Sequence, residues 1–170
     1  MIKNSIHMSR FIFLDRDGVI NINRDDYVKS IDEFIFLPNA INAIKKLNNL
    51  GFKIIIITNQ SVINRGIISE NELKEIHLHM LNKLKKHDCK IEKIYFCPHR
   101  PDENCSCRKP NTGLIKKAIS EHFIDISKSW LIGDSNSDIE LANNTGLKSI
   151  KIERNGNLMN AVTEIEENTL

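Results

Sequence analysis

Short apolar runs that each stop at a polar residue, separated by amphipathic stretches, constrain this chain more than any other feature. Phe11-Ile-Phe-Leu14 breaks off at Asp15, Phe52–Ile57 at Thr58-Asn59-Gln60, and Trp130-Leu-Ile132 at Gly133-Asp134. Ile91–Phe96 reads as a further strand before Cys97, and Ile150 with Ile152 as a fifth. Runs without polar alternation belong to strands covered on both faces, which means a parallel sheet wrapped by helices. The helices are legible as well. Ile41, Ile44, Leu47 and Leu50 fall three apart and stop at Gly51. Ser69-Glu-Asn-Glu72 forms a capping box ahead of Leu73, Ile76, Met80 and Leu84. Leu114, Ile115, Ala118 and Ile119 mark a third helix, and Ser137-Asp-Ile-Glu140 reads as a second capping box whose helix ends at Gly146. Residues 157–167 read as a frayed last helix. In a doubly wound α/β sheet, ligands bind beyond the carboxyl ends of the strands. Those ends hold Asp15, Thr58, Cys97 and Asp134.

Composition narrows the classes. A length of 170 residues predicts one domain over 1–170, and 41% hydrophobic residues exclude wholesale disorder. Twenty-four Lys+Arg against 22 Asp+Glu leave a net charge of +2, which argues against a nucleic-acid partner. No apolar run approaches the ~20 residues that span a bilayer. The first ten residues lack a signal-type apolar stretch, so a cytoplasmic protein without a membrane partner is expected, with Met8 an alternative start. In that compartment the four cysteines read as metal ligands, reactive thiols or packing before they read as disulfides.

The acidic residues at the strand ends form a constellation. Asp15-Arg-Asp17-Gly18 can project two carboxylates into one cleft, although an Asp-Gly turn alone would use the same residues. Gly133-Asp-Ser-Asn-Ser-Asp138 opens the next strand-to-helix turn, where helix capping accounts for Ser137 but not for Asp134. Carboxylates massed at one sheet edge repel each other unless a cation sits among them, and hard oxygen donors with room for water suit Mg²⁺. Thr58-Asn59 and Lys109 add donors and positive charge. Such a set describes phosphoryl transfer through an aspartyl-phosphate that water then hydrolyses.

Residues 97–111 contain no apolar anchor, and a loop of that kind is ordinarily mobile. Cys97, His99, Cys105 and Cys107 nevertheless give a Cys₃His set, the donor pattern of a closed structural Zn²⁺ site. Bound zinc would staple loop 97–110 and so fix Lys109. Reduced surface thiols are the competing reading; a Cys105–Cys107 disulfide is awkward at that spacing. Cys89 belongs to no cluster and reads as packing. His77 and His79 face differently on their helix and make no metal pair, and His87 and His122 sit near helix ends.

Asp15-Arg-Asp-Gly-Val-Ile-Asn21, Thr58-Asn-Gln-Ser61, Cys97-Pro-His99 with Cys105-Ser-Cys-Arg-Lys-Pro110, and Gly133-Asp134 with Asp138 together resemble the haloacid dehalogenase superfamily. The resemblance is narrowest to its histidinol-phosphatase and heptose-bisphosphate-phosphatase branch, and it covers roughly residues 10–150. It implies a Rossmann-like α/β fold without a large cap domain, carrying catalytic Mg²⁺ and structural Zn²⁺. It makes Asp15 the nucleophile and a Mg²⁺ ligand. Asp17 becomes the general acid and base, binding the metal through its carbonyl, and Asp134 completes the Mg²⁺ shell. Thr58 and Asn59 would hold the phosphoryl oxygens, Lys109 would neutralise the aspartyl-phosphate, and Arg108 would sit beside it on substrate. Asp138 would orient Lys109 or a metal-bound water. Zinc is implied at Cys97, His99, Cys105 and Cys107.

Asp26–Pro38 and Thr58–Gly66 look like the heptose enzymes, with Ser61 and Arg65 as candidate sugar or phosphate ligands; Val62 departs from the glycine common there. The implied substrate is D-glycero-D-manno-heptose 1,7-bisphosphate losing its 7-phosphate, on a route to lipopolysaccharide or S-layer sugars, in a monomer. Histidinol phosphate is the alternative substrate, and a non-catalytic zinc-stabilised binding module the alternative class.

Overall fold

A computed structural model describes residues 8–168; Met1–His7, part of the stretch read for a signal sequence, lies outside the described residues. Five strands, β1 (Phe11–Leu14), β2 (Lys53–Asn59), β3 (Lys93–Cys97), β4 (Trp130–Gly133) and β5 (Lys148–Lys151), form one sheet. All its pairings are parallel, in the order β3-β2-β1-β4-β5. The helices are α1 (Ala40–Asn49), α2 (Glu70–Lys86), α3 (Gly113–Glu121), α4 (Asn136–Thr145) and α5 (Leu158–Glu167). Alternate strand residues face opposite sides, as the two-residue period of a strand requires. Ile12, Leu14, Ile54, Ile56 and Ile132 pack with α1, α2 and α5, while Phe13, Ile55, Ile57 and Leu131 pack with α3 and α4. Chain order runs outward from β1 to β3 on one side and from β4 to β5 on the other. The switch point therefore lies beyond β1 and β4, next to Asp15 and Asp134.

Residues 15–39, between β1 and α1, form a flap rather than a cap domain. Ile22 N–H donates to the Ile35 carbonyl (2.9 Å) and Leu37 N–H to that of Ile20 (2.9 Å), while Val28, Phe34 and Leu37 bury their side chains. The capping box of α2 forms as expected, with Ser69 Oγ accepting from Glu72 N–H (3.2 Å) and Glu72 accepting from Ser69 N–H (2.7 Å). The box of α4 falls two residues earlier than the sequence predicts. Ser135 is the N-cap, and Asp138 accepts from its N–H (3.1 Å) and its hydroxyl (2.6 Å). Ser135-x-x-Asp138 and Ser137-x-x-Glu140 have the same spacing; the end of β4 at Gly133 leaves room for the first. The last helix is not frayed. Leu158, Ala161, Val162 and Ile165 are buried, and Asn157 caps α5 by accepting from Met159 N–H (3.0 Å). Ile119, read as part of the apolar face of α3, is exposed. Among the described residues no helix is long and apolar enough to cross a membrane.

Candidate active site

A cavity of about 280 Å³ opens at the carboxyl ends of β1, β2 and β4. At its floor lies Lys109, whose side chain is almost completely buried. Its ammonium touches Asp15 Oδ2 (2.9 Å) and Asp138 Oδ1 (2.7 Å) and donates to the Ile57 carbonyl (3.2 Å). Burial works against the Lys109 charge, but Asp15 and Asp138 outweigh it and hold its pKa above the ordinary value. One ammonium shared between two carboxylates does not satisfy both. Burial, opposed by Lys109 and reinforced by Asp138, pushes the Asp15 carboxyl up to about 7. Asp134 is raised as well, by burial and then by the charge of Asp138.

Single carboxylate oxygens of Asp15, Asp134 and Asp138 lie within 4.8 Å of one another. Gly18 makes room for this cluster, since a Cβ there would stand 2.0 Å from Asp134 Oδ2. Among the described residues, the four carboxylates Asp15, Asp17, Asp134 and Asp138 meet only Lys109 and Arg16 in salt bridges. An all-oxygen donor set with excess negative charge fits Mg²⁺. Asp138 commits both oxygens to Lys109 and Ser135. Asp15 also meets Lys109 and accepts from Arg16 N–H (2.7 Å), but Asp15 and Asp134 both line the cavity, where their remaining lone pairs can face a cation.

The second cluster lies at the end of β3. Cys97 Sγ is 3.6 Å from Cys105 Sγ, 3.1 Å from Cys107 Sγ and 3.4 Å from His99 Nδ1. Cys105 and Cys107 are 3.6 Å apart, and His99 Nδ1 is 3.2 Å from Cys107 Sγ. Zinc–sulfur bonds of ~2.3 Å in a tetrahedron set sulfur atoms roughly 3.7 Å apart, so four soft donors on these spacings fit Zn²⁺ with only small outward shifts. Loop atoms also secure one another. Arg108 donates to the His99 carbonyl (3.0 Å), and its N–H reaches Cys105 Sγ (3.3 Å).

The comparisons with known proteins agree with this geometry. The profile of the HAD-hydrolase-like family matches residues 106–165. The D-glycero-beta-D-manno-heptose-1,7-bisphosphate 7-phosphatase of Pseudomonas aeruginosa is 36% identical over 165 residues, 96% of this chain and 92% of that protein. The chain belongs to this family of haloacid dehalogenase-like phosphatases. A family member from Thermoplasma acidophilum, described as a probable D-glycero-D-manno-heptose-1,7-bisphosphate 7-phosphatase, is 44% identical over 80% of this chain and 85% of its own length. The crystal structure of the D,D-heptose 1,7-bisphosphate phosphatase from B. bronchiseptica, complexed with magnesium and phosphate, superposes with a TM-score of 0.81. It is 28% identical, covering 94% of this chain and 99% of that one.

Within this phosphatase fold, the residues expected at the site divide into two groups. Asp15, Asp17, Thr58, Arg108, Lys109 and Asp134 line the cavity. Asn59 lines it too, but its amide grips the backbone of Lys109 instead of being free for substrate. Its oxygen accepts from Lys109 N–H (3.0 Å) and its nitrogen donates to the Lys109 carbonyl (3.3 Å). Ser61 and Arg65 are not among the residues that line the cavity; Arg65 Nε donates to Ser61 Oγ (3.3 Å), and its guanidinium lies 5.9 Å from the ring of Tyr27, which does line it. Val62 is buried in the core without a left-handed backbone. Cys89 is likewise buried, outside both clusters.

The sequence reading missed the groups that hold Asp17. Asp17 Oδ1 accepts from Arg16 Nη2 (2.8 Å) and Asn21 Nδ2 (2.9 Å), and Oδ2 accepts from Gln60 Nε2 (2.7 Å). Burial alone would raise this carboxyl, but the Arg16 charge and these hydrogen bonds hold it below its ordinary value. Arg16 is 1% exposed and meets His77 Nε2 at 3.1 Å. His77 and His79 face differently, as their spacing predicts: His79 is exposed, whereas His77 is buried. Its place beside Leu73, Ile76 and Met80 on the buried side of α2 was the available signal.

Proposed function

We propose that this protein is a Mg²⁺-dependent phosphatase that removes the 7-phosphate of D-glycero-D-manno-heptose 1,7-bisphosphate, in the synthesis of heptose precursors for lipopolysaccharide or S-layers. One observation carries the reading: a buried lysine is shared between Asp15 and Asp138 beside Asp134, at the switch point of a sheet whose relatives carry that name. An Asp15 oxygen forms a bond to phosphorus while the bond from phosphorus to the C7 oxygen breaks. Asp17 gives that oxygen its proton, and the sugar 1-phosphate leaves. Asp17 rests as a carboxylate and is placed to collect the proton when the phosphate brings its own negative charge close, because like charges raise a carboxyl pKa. It then takes a proton from water as the water oxygen attacks phosphorus. The bond from phosphorus to Asp15 breaks, its electrons return to Asp15, and inorganic phosphate departs.

Lys109 offsets the charge of Asp15 and of the aspartyl-phosphate. Thr58 Oγ1 accepts from Gln60 (2.8 Å), so its own proton is free to reach a phosphoryl oxygen. Bound Mg²⁺, held by Asp15, Asp134 and the Asp17 carbonyl, would supply charge neutralisation and in-line orientation. Arg108 lines the cavity, and in this reading its guanidinium would hold the retained 1-phosphate. Zinc at Cys97, His99, Cys105 and Cys107 is structural. Cysteines free of disulfides fit a cytoplasmic protein, and small size with an open site suits a monomer, one phosphatase unit over 1–170.

The test is phosphate release in Mg²⁺ from the two heptose 1,7-bisphosphate anomers, fructose 1,6-bisphosphate and histidinol phosphate, compared by kcat/KM. Preference for a heptose bisphosphate with the 1-phosphate retained is expected. Preference for histidinol phosphate would overturn the substrate. No turnover by zinc-loaded protein would overturn the enzyme.

A further inference from the structure

His77 is a buried titratable group that this mechanism leaves without a task. It projects from the middle of α2 and is 7% exposed, with its ring set edge-on to Phe96 at 6.0 Å. Its Nε2 lies 3.1 Å from Arg16 Nη1. A guanidinium has donors only, so Nε2 is the acceptor and the ring proton sits on Nδ1. Arg16 needs this anchor. Its Nε has no partner, its Nη2 goes to Asp17 Oδ1 (2.8 Å), and the Phe34 ring centroid lies 5.8 Å away. The guanidinium is therefore stretched between His77 and Asp17. Asp17 is gripped unevenly in turn: Oδ1 takes Arg16 and Asn21, while Oδ2 takes only Gln60.

We propose that His77 is a positioning residue, holding Arg16 so that Arg16 fixes Asp17 Oδ1 and leaves Oδ2 as the oxygen that carries the proton. Loss of the Nε2 acceptor leaves Arg16 with a second unpaired donor and loosens its hold on Asp17, whose carboxylate can then turn about its Cβ–Cγ bond as far as Asn21 and Gln60 allow. Proton transfer depends on that angle; substrate binding and the need for Mg²⁺ do not. The inference rests on the phosphatase reading above.

The experiment compares wild type with H77L, H77F and H77Q in steady-state phosphate release from heptose bisphosphate, with Mg²⁺ titrations and thermal melts. H77F keeps a ring against Phe96 without an acceptor, and H77Q sets an amide oxygen near the lost Nε2. The expected result is a fall in kcat of about tenfold in H77L and H77F, with KM and the Mg²⁺ concentration for half-activity unchanged. H77Q recovers kcat to within about threefold of wild type. Unchanged kcat in H77F would overturn the proposal, whatever its melting temperature, and so would an H77Q loss as deep as that of H77F. An inactive wild type would instead overturn the phosphatase reading and this inference with it.

Discussion

The cavity floor and the cysteine loop solve the same problem, holding polar atoms still, by opposite means. Around Lys109 the work is done by burial and by bonds within the protein: two carboxylates and a carbonyl take the ammonium, and Asn59 takes both sides of its peptide. Loop 98–111 has only a single turn of 3-10 helix, Pro101–Glu103, and its side chains are mostly exposed or half-buried. What converges there is four donor atoms on one point. The two regions meet through β-sheet register, because Cys97 pairs with Asn59 across β3 and β2. The loop that carries the Cys₃His set thus begins beside the residue that clamps Lys109 and runs to Lys109 itself. The difference teaches that the dependence runs one way: the chemistry of the cavity can fail with the loop intact, whereas a loop that loses its staple loosens Lys109.

The sharpest way to break the comparison is on the cavity side. D15N removes the nucleophile while Asp138 keeps Lys109, so the expected outcome is a loss of turnover of at least about 10³-fold with zinc content unchanged. Steady-state kinetics and metal analysis of the same sample check it. On the loop side, C105S should lower zinc content and turnover together, the latter by about 10- to 100-fold, with the requirement for Mg²⁺ intact. Full activity in zinc-free C105S would show that Lys109 is held without the staple. N59A tests the seam between the regions. Two hydrogen bonds to the Lys109 peptide are lost, so kcat should fall about 30-fold at normal zinc content.

These three variants also mark what could be read in the sequence. Asp15, Asp134 and the Cys₃His set were legible because strand ends and metal spacings leave local traces. The fold was legible for the same reason: apolar runs ending in polar residues predict β1, β2 and β4 within a residue or two. Asn59 lines the cavity, as its strand end predicts, but its grip on Lys109 joins residues 50 apart in sequence and has no local trace. Arg16 stands between two aspartates, and nothing local says that its side chain turns inward to His77. The α4 box slipped because two Ser-x-x-acid patterns overlap, and α5 looked frayed because its burial depends on α1. Tertiary contact decided each of these.

The smallest expected effect separates the regions by pH. Burial first, and then the Arg16 charge, depress the His77 pKa to about 3, against an ordinary value of 6.5. The folded protein therefore holds a neutral ring where the unfolded chain would take a proton. Stability from this residue is complete above about pH 6.5 and is lost as pH falls toward 3, because the unfolded state binds the extra proton in that window. Between pH 7.5 and 5.5 the loss from His77 is about 1.4 kcal/mol. Urea melts of wild type and H77Q at the two pH values measure it, since glutamine cannot titrate. Acid also weakens zinc binding in the loop, but both proteins carry the same loop and that contribution cancels in the difference. An equal acid loss in wild type and H77Q would mean that acid sensitivity belongs to the loop and the other titrating groups, and that the Arg16–His77 contact does not keep the ring neutral.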